Sequence, residues 1–597
     1  MAIFLRAHQR RKDGKLHTYW SLVENRRCAD GRVVQRHVLY LGALTAAQEQ
    51  SWEKTAQLFD PPSAAGEALP GLTTERELQA KEAALIAVHL DRFRIEQPRQ
   101  WGGCWVGLKL WQGLKLSEFW AQRLPPSRQG THWLHVLMTL VMYRLLDPGS
   151  EWRLHRQWYA QTALGDLLGE DFRLAAKDNL YRCLDRLLAH REELFKFLQA
   201  RWRDEFGASF EVLLYDLTST YFESDPPFPE GDLRRFGYSR DKRPDCVQVV
   251  IALVGTPEGY PLAYEVLPGN TSDKTTLQGF LARIEKLYGK AQRVWIMDRG
   301  IPTEEVLEQM QQADPPIYYL VGTPKGRLSQ LEGQLVPLPW QQARASVRVK
   351  LLPQAKEFYV FVESQDRLQK ERAMRLRKLR ELVRRLKQLQ HMKKELTRDE
   401  LLLAVGQAKE QAGRVFHLVE IAWPAAGQPV TSTTFTFRLA RARYRQWRRR
   451  EGRYLLRTNL IEKDPKVLWA YDLQLVAVEE AFRNLKGDLQ VRPIYHQKQA
   501  RIQAHMFVAY LAYCLHVTLQ GRLRRVAGGL TPRTVLEKMG TMQMMEVYFP
   551  TTQPGQELVF RRYTQPEKDH QMLLAQLGWE LPEQSPPRIS AKGQLVG

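Results

Sequence analysis

Apolar positions along the chain switch between two periods, and the switches mark out its organisation. Over residues 1–45 they alternate, and Lys12-Asp13-Gly14 and Asp30-Gly31 interrupt them as hairpin turns, which predicts a small N-terminal β-meander. PPSAAGEALPG (61–71) reads as a linker. Residues 72–208 carry helical spacing, clearest in THWLHVLMTLVMYRLL (131–146) and NLYRCLDRLLAHREELFKFLQ (179–199). They form a helical region and a candidate DNA-end-binding segment.

From 209 to 326 the texture is that of a mixed sheet. EVLLYDLTSTYF, CVQVVIALVGT and YPLAYEVLPGN read as strands, TTLQGFLARIEKLYG as a helix, RVWIMD as a strand, PTEEVLEQMQQA as a helix and PIYYLVGT as a strand. The order β-β-β-α-β-α-β predicts an α/β core. Residues 327–465 interrupt it. QARASVRVKLL, EFYVFVE, RVFHLVEIAW and STTFTFRL read as strands around a basic helix at 366–398, so a mainly β insertion is expected. Leu379, Leu382, Leu386 and Leu389 line that helix as a seam for packing or pairing. Residues 466–525 return to the core as helix, and 526–597 form a C-terminal tail without a clear pattern.

Composition removes several classes. With 44% hydrophobic and 10% aromatic residues in 597, the chain has the means to bury sizeable cores and is not intrinsically disordered. The five cysteines (Cys28, Cys104, Cys183, Cys246, Cys514) are scattered without a C-x-x-C pair, which argues against a disulfide scaffold and for a reducing compartment. The longest apolar stretch, Met506 to Leu519, is shorter than the ~20 residues a bilayer span needs. A soluble, cytoplasmic protein with no membrane partner is expected.

Charge narrows the choice further. Of the net +22, residues 367–398 hold 13 basic and 3 acidic side chains, a net of +10, and residues 438–457 hold nine Arg against Glu451, a net of +8. Basic charge this concentrated suits a polyanion, because each neutralised phosphate releases counterions. The second run contains Arg448, Arg449 and Arg450 and is interleaved with Tyr444, Trp447 and Tyr454, side chains able to stack on bases.

Two aspartates occupy equivalent places in the core. Val212, Leu214 and Asp216 share one face of a strand, as do Val294, Ile296 and Asp298 in another. If the strands are parallel neighbours, both acids meet at the carboxyl edge, where such sheets place ligands. A third acid comes from a helix read over 467–489. Its apolar stripe is Leu475, Val478, Phe482, Leu485 and Leu489; Glu479 lies roughly 80° from the stripe's centre and Glu480 roughly opposite it. Glu479 is therefore expected to border the core and Glu480 to face solvent. Three carboxylates suit Mg²⁺, a hard cation that keeps waters and is completed by phosphate. A pair of such ions serves in-line phosphoryl displacement. No His/Cys cluster competes, and His496 and His505 are expected to be structural.

YDLTSTYFE around Asp216, MDRGIP around Asp298 and VEEAFRNLK around Glu479 resemble bacterial insertion-sequence transposases of the Asp-Asp-Glu, cut-and-paste type with a Tyr-Arg-Glu-Lys signature. PGNTSDKTTL (268–277), RYLLRTNL (453–460), RPIYH (492–496), RIQAH (501–505) and LTPRTVLEKM (530–539) are similar to that family as well. The resemblance implies a ribonuclease-H-like core and a metal triad of Asp216, Asp298 and Glu479 holding two Mg²⁺, with Mn²⁺ able to substitute. It implies Lys486 as the signature lysine and Mg-dependent DNA cleavage and strand transfer. A homodimer acting on double-stranded transposon ends and target in the bacterial nucleoid also follows. The signature's Tyr and Arg positions fall on Asp472 and Leu475, with Arg483 a candidate DNA contact. Two other readings remain: a catalytically inactive DNA-binding protein, and an endonuclease without strand transfer.

Overall fold

The computed structural model describes residues 3–12, 15–27, 33–58, 86–226, 228–354, 356–392 and 396–591. The expected turns at Asp13-Gly14 and Asp30-Gly31, the linker at 61–71, and Cys28 lie outside them.

The N-terminal alternation forms a three-stranded antiparallel sheet, β1 (Ile3–Lys12), β2 (Lys15–Arg27) and β3 (Val33–Gly42). Helix α1 (Ala46–Leu58) packs on it through Trp52. Next comes a strand, β4 (Arg94–Gln100), where the sequence pattern predicts helix. Its residues are nearly all exposed, so they carry no apolar period, and pairing with a strand over 400 residues away decides their conformation. Helices α2 (Gly102–Gly113), α3 (Trp133–Leu146), α4 (Lys177–Leu187) and α5 (Arg191–Phe206) then form the helical region.

The centre is a large mixed sheet built from two stretches of the chain. Its first part runs β5 (Val212–Phe222), β6 (Val247–Gly255), β7 (Pro261–Pro268), α6 (Leu277–Tyr288), β8 (Val294–Met297), α7 (Glu304–Gln312) and β9 (Tyr318–Gly322). This is the element order read from the sequence. β6 is buried at every position, as a strand covered on both faces must be. β5, β8 and β9 are parallel, and β5-β6-β7 is an antiparallel meander.

The expected mainly β insertion is different in kind. After α8 (Lys325–Leu335), strands β10 (Gln341–Arg344), β11 (Val347–Pro353) and β12 (Phe358–Ser364) extend the central sheet, and β15 (Arg453–Thr458) pairs with both β12 and β9. What projects from the sheet is largely helical: α9 (Gln365–Gln390), α10 (Arg398–Ala412), a short hairpin of β13 (Val419–Ala422) and β14 (Thr436–Leu439), and α11 (Arg441–Arg450). RVFHL, read as strand, turns in a 3-10 helix instead. Ser364 caps α9 by accepting from the Arg367 amide, and Thr397 with Glu400 forms a capping box on α10. The leucine seam is consumed inside this lobe. Leu382, Leu386 and Leu389 are buried against Leu401, Val405 and Phe435, so they are not a surface for pairing two copies.

The single helix read over 467–489 is two, α12 (Pro465–Asp472) and α13 (Leu475–Lys486), broken at Leu473–Gln474. Asp464 caps α12 and Pro465 opens it. The apolar stretch at 506–519 is the middle of α14 (Gln499–Val526), long and apolar enough by itself to cross a membrane; 94% of its most apolar 18-residue window is buried inside the protein. Its Phe507 and Tyr510 pack against Trp120 and Phe195, and Trp202 donates to its Thr518 at 3.1 Å, in the common core of the helical region and the sheet. The tail is ordered too, as α15 (Pro532–Met539), β16 (Gln543–Pro550), β17 (Gln556–Tyr563), α16 (Lys568–Leu577) and β18 (Arg588–Ala591), with β4 completing its sheet.

Candidate active site

β5 and β8 pair in parallel with Tyr215 opposite Met297, so the next residues, Asp216 and Asp298, stand side by side where β8 leaves the sheet. Each carboxylate accepts the amide that follows it: Asp216 Oδ1 from Leu217 at 2.8 Å and Asp298 Oδ1 from Arg299 at 2.7 Å. Helix α13 packs on β5 through Val478, Phe482 and Leu485 and brings Glu479 into the field of Asp216. Burial pushes Asp216 up to about 6, against the pull of the Leu217 amide and of Arg240, while Asp298 and Glu479 raise it further. Half-buried, with two acid neighbours set against Arg240, Asp216 is under-compensated.

Glu479 is the exposed member of the Glu pair, whereas Glu480, expected in solvent, is half-buried and accepts a hydrogen bond from Gln520. The break before α13 and the close approach of α14 place Glu480 at a helix–helix contact that a single-helix projection does not contain. A fourth acid, Asp472, stands within electrostatic range of Asp298. Burial pushes Asp472 up to about 6; the Tyr454 hydroxyl and Arg367 oppose the shift, and Asp298 adds to it.

The cations belong to a loop the sequence reading passed over. The β5–β6 connection carries Arg240, whose guanidinium pairs with Asp273 at 2.5 Å, and Asp241, which pairs with Lys486 at 2.7 Å. Lys486, expected to be the signature lysine, is thus half-buried and engaged within the protein, while Arg483 is exposed on the same helix. The available signal was the charge-dense SRDKRPD between two confident strands.

Family models match two segments: the N-terminal domain of IS1634 family transposases over residues 5–59, and the transposase DDE domain over residues 209–515. The chain belongs to the insertion-sequence DDE transposases. No curated protein matches it. Among solved structures, a cryo-EM structure of a piggyBac transposase synaptic complex with hairpin DNA aligns over 73% of this chain and 79% of that one, at 7% identity and a TM-score of 0.35. So slight a likeness carries no argument.

The transposase gathers its two basic runs into one lobe. Arg375 of α9 and Glu451, just after α11, form an ion pair with side chains 3% and 1% exposed and a 2.5 Å contact. Arg448, Arg449 and Arg450 are exposed at the end of α11 and Trp447 is half-buried. Tyr444 and Tyr454 are not free to stack on bases: Arg375 lies 4.5 Å over the first ring and Arg367 4.6 Å over the second.

Against expectation, two His/Glu groups bring their donor atoms within 4.8 Å of one another: His132–His135–Glu170 at the start of α3, and Glu151–His496–His505 in the interior. The second sits against Arg144, which donates to Gln490 O and approaches His505 Nδ1 at 3.4 Å. An arginine in that position opposes a cation, so His496 and His505 tie α14 and the chain after α13 to the helical region. Asp216, Asp298 and Glu479 share one electrostatic neighbourhood but do not form so tight a group. Among the described residues, Cys104, Cys183, Cys246 and Cys514 are free and buried.

Proposed function

We propose that this transposase moves its element by cut-and-paste, cleaving DNA at the element's ends and joining the freed 3′ ends to a target, with Asp216, Asp298 and Glu479 as the catalytic carboxylates. One observation carries the reading: two aspartates stand level on adjacent parallel strands, and the helix bearing Glu479 is packed on one of those strands. The order β7-β6-β5-β8-β9, an antiparallel meander followed by two parallel strands, supports a ribonuclease-H-like core.

The donor set fits magnesium, with manganese as substitute. Every nearby ligand is a carboxylate oxygen, and the uncompensated charge that holds Asp216 near 6 is what a divalent cation would relieve. Bound there, two such ions supply charge neutralisation at the phosphate and lower the pKa of an attacking hydroxyl.

The chain's own groups do the rest. Asp216 and Asp298 are fixed by their amide hydrogen bonds, and Glu479 closes the site from α13. Arg483 and the Arg448–Arg450 end of the lobe, with Trp447 beside it, hold the DNA backbone. In the first step water oxygen bonds to phosphorus and the P–O3′ bond breaks, leaving a 3′-hydroxyl. That hydroxyl oxygen then bonds to the phosphorus of a second phosphodiester, whose own P–O3′ bond breaks to release a new 3′-hydroxyl, so no protein nucleophile is needed. Two copies of the chain hold the two ends.

The test uses purified protein, Mg²⁺ and a supercoiled plasmid carrying the gene's native flanking DNA. Wild type yields excised or rejoined ends. Asp216→Asn, Asp298→Asn and Glu479→Gln yield neither while still binding DNA, and Glu480→Gln retains cutting. Cleavage by Asp216→Asn overturns the triad. Simple nicks without joining mean an endonuclease, and binding without cleavage in Mg²⁺ or Mn²⁺ means an inactive DNA-binder.

A further inference from the structure

Asp241 is an anion in a place built for one. It reaches the site from the β5–β6 loop, and its side chain is only 5% exposed. Two cations from different segments converge on its Oδ1: Lys486 at the end of α13, 2.7 Å away, and Arg492 in the chain beyond. Oδ2 is buried with no hydrogen-bond partner. A buried carboxylate oxygen without a partner is costly to keep, and here it leaves half of the anion's accepting capacity unused. A third cation, Arg240, lies close enough to act on both Lys486 and Asp216. Two positive groups therefore close on one buried anion, and Arg240, itself paired with Asp273, links this cluster to Asp216.

The loop that delivers Asp241 is held by the Arg240–Asp273 and Arg243–Glu223 ion pairs and by two hydrogen bonds to the flanking strands. The Arg240 amide donates to Ser219 Oγ at 3.3 Å and Gln248 Nε2 donates to Tyr238 O at 3.1 Å. Lys242, the next residue after Asp241, sits at φ +60°, a left-handed conformation that a long side chain adopts at a cost. Tyr238 on the same loop is 84% exposed. A phosphodiester carries the same single charge as a carboxylate. It also has two non-bridging oxygens, so it accepts from both cations without leaving one oxygen unpaired.

We propose that Lys486 and Arg492 form a binding site for a DNA backbone phosphate next to the scissile bond, and that Asp241 occupies this site until DNA displaces it. The proposal deepens the transposase reading above and rests on it. Exchange of one anion for another keeps the two cations paired throughout, so the main cost is movement of residues 236–246.

The experiment measures affinity of the full-length protein for a 30-base-pair duplex by fluorescence anisotropy, in chelator, across a salt series. Asp241→Asn binds about five- to ten-fold more tightly than wild type. Asp245→Asn, which removes an exposed acid from the same loop, changes affinity less than two-fold and controls for long-range charge. Lys486→Gln and Arg492→Gln each weaken binding and lower the slope of log affinity against log salt by about 1. With both cations replaced, Asp241→Asn has no further effect. Unchanged or weaker binding by a folded Asp241→Asn overturns the proposal. If that variant does not fold, hydrogen exchange in wild type decides: residues 236–246 exchange faster on duplex binding, and slower exchange there means that Asp241 keeps its partners. Failure of the wild type to bind duplex or cut plasmid sinks the transposase reading instead. Cutting by wild type with no gain from Asp241→Asn overturns this proposal and leaves the transposase reading standing.

Discussion

Replacing Asp216 with Asn should make the metal-free protein more stable while it removes activity, and the gain should appear only above about pH 4. Asp216 titrates near 6 in the folded protein, where burial and two acid neighbours oppose its charge, against 3.8 without them. A carboxyl whose folded pKa is raised binds more protons folded than unfolded between those values, so stability falls as pH rises from about 4 to about 6 and is level above that. Roughly two pKa units at 1.36 kcal/mol each give about 3 kcal/mol at pH 8. Asn keeps the acceptor for the Leu217 amide and has no charge to bury. The assay is urea unfolding of wild type and Asp216→Asn at pH 4 and pH 8 in chelator, with hydrogen exchange at β5 to localise the change. The variant should match wild type at pH 4 and exceed it by about 3 kcal/mol at pH 8, with Mg²⁺ narrowing the gap because only wild type gains a bound cation. A difference that does not change with pH, or a variant less stable at pH 8, refutes the argument that the site is strained by its own charge.

Glu451→Gln strips the charge from a buried partner and leaves Arg375 uncompensated, at a cost of about 3–5 kcal/mol; exchange should rise across α9 and α11 but not at β5. Arg448→Ala, Arg449→Ala and Arg450→Ala together should flatten the salt dependence of duplex binding by up to about 0.9 per lost phosphate contact, and an unchanged slope would remove α11 from the interface. Burial pushes His516 down to about 4, so its unfolded form takes up a proton near 6.5 while the folded one does not. Stability is therefore lost as pH falls from about 6.5 to 4. His516→Gln should remove up to about 3 kcal/mol of that loss in paired melts at pH 7.5 and 4.5, and identical pH slopes would count against it.

Much of the core was legible because its signals are local. The alternation in VLLYDLTSTYF, the all-apolar VQVVIALVG and the two aspartates after matched apolar pairs each need only a few residues to be read. The lobe was misread because β10–β12 join the central sheet only through β15, which follows the long helical excursion after β12, and no window shows which sheet a strand joins. β4 failed for the same reason, since its partner β16 begins at Gln543. Glu480 was misplaced because its burial depends on α14, not on its own helix. Asp241 and Arg240 went unnoticed because a polar loop between strands looks the same whether it faces water or folds back on a site.

β15 hydrogen-bonds to β9, and β9 to the strand that ends just before Asp298, so the basic lobe is rooted in the same continuous sheet as the chemistry. Such an attachment is a cantilever rather than a hinge. Turning the strands that root the lobe would mean shearing several ladders of hydrogen bonds at once. The angle at which the lobe meets the duplex is then fixed by sheet twist. Lengthening the lobe at its tip should alter reach along the DNA without altering that angle, whereas an extra residue in β12 or β15 should redirect the whole arm.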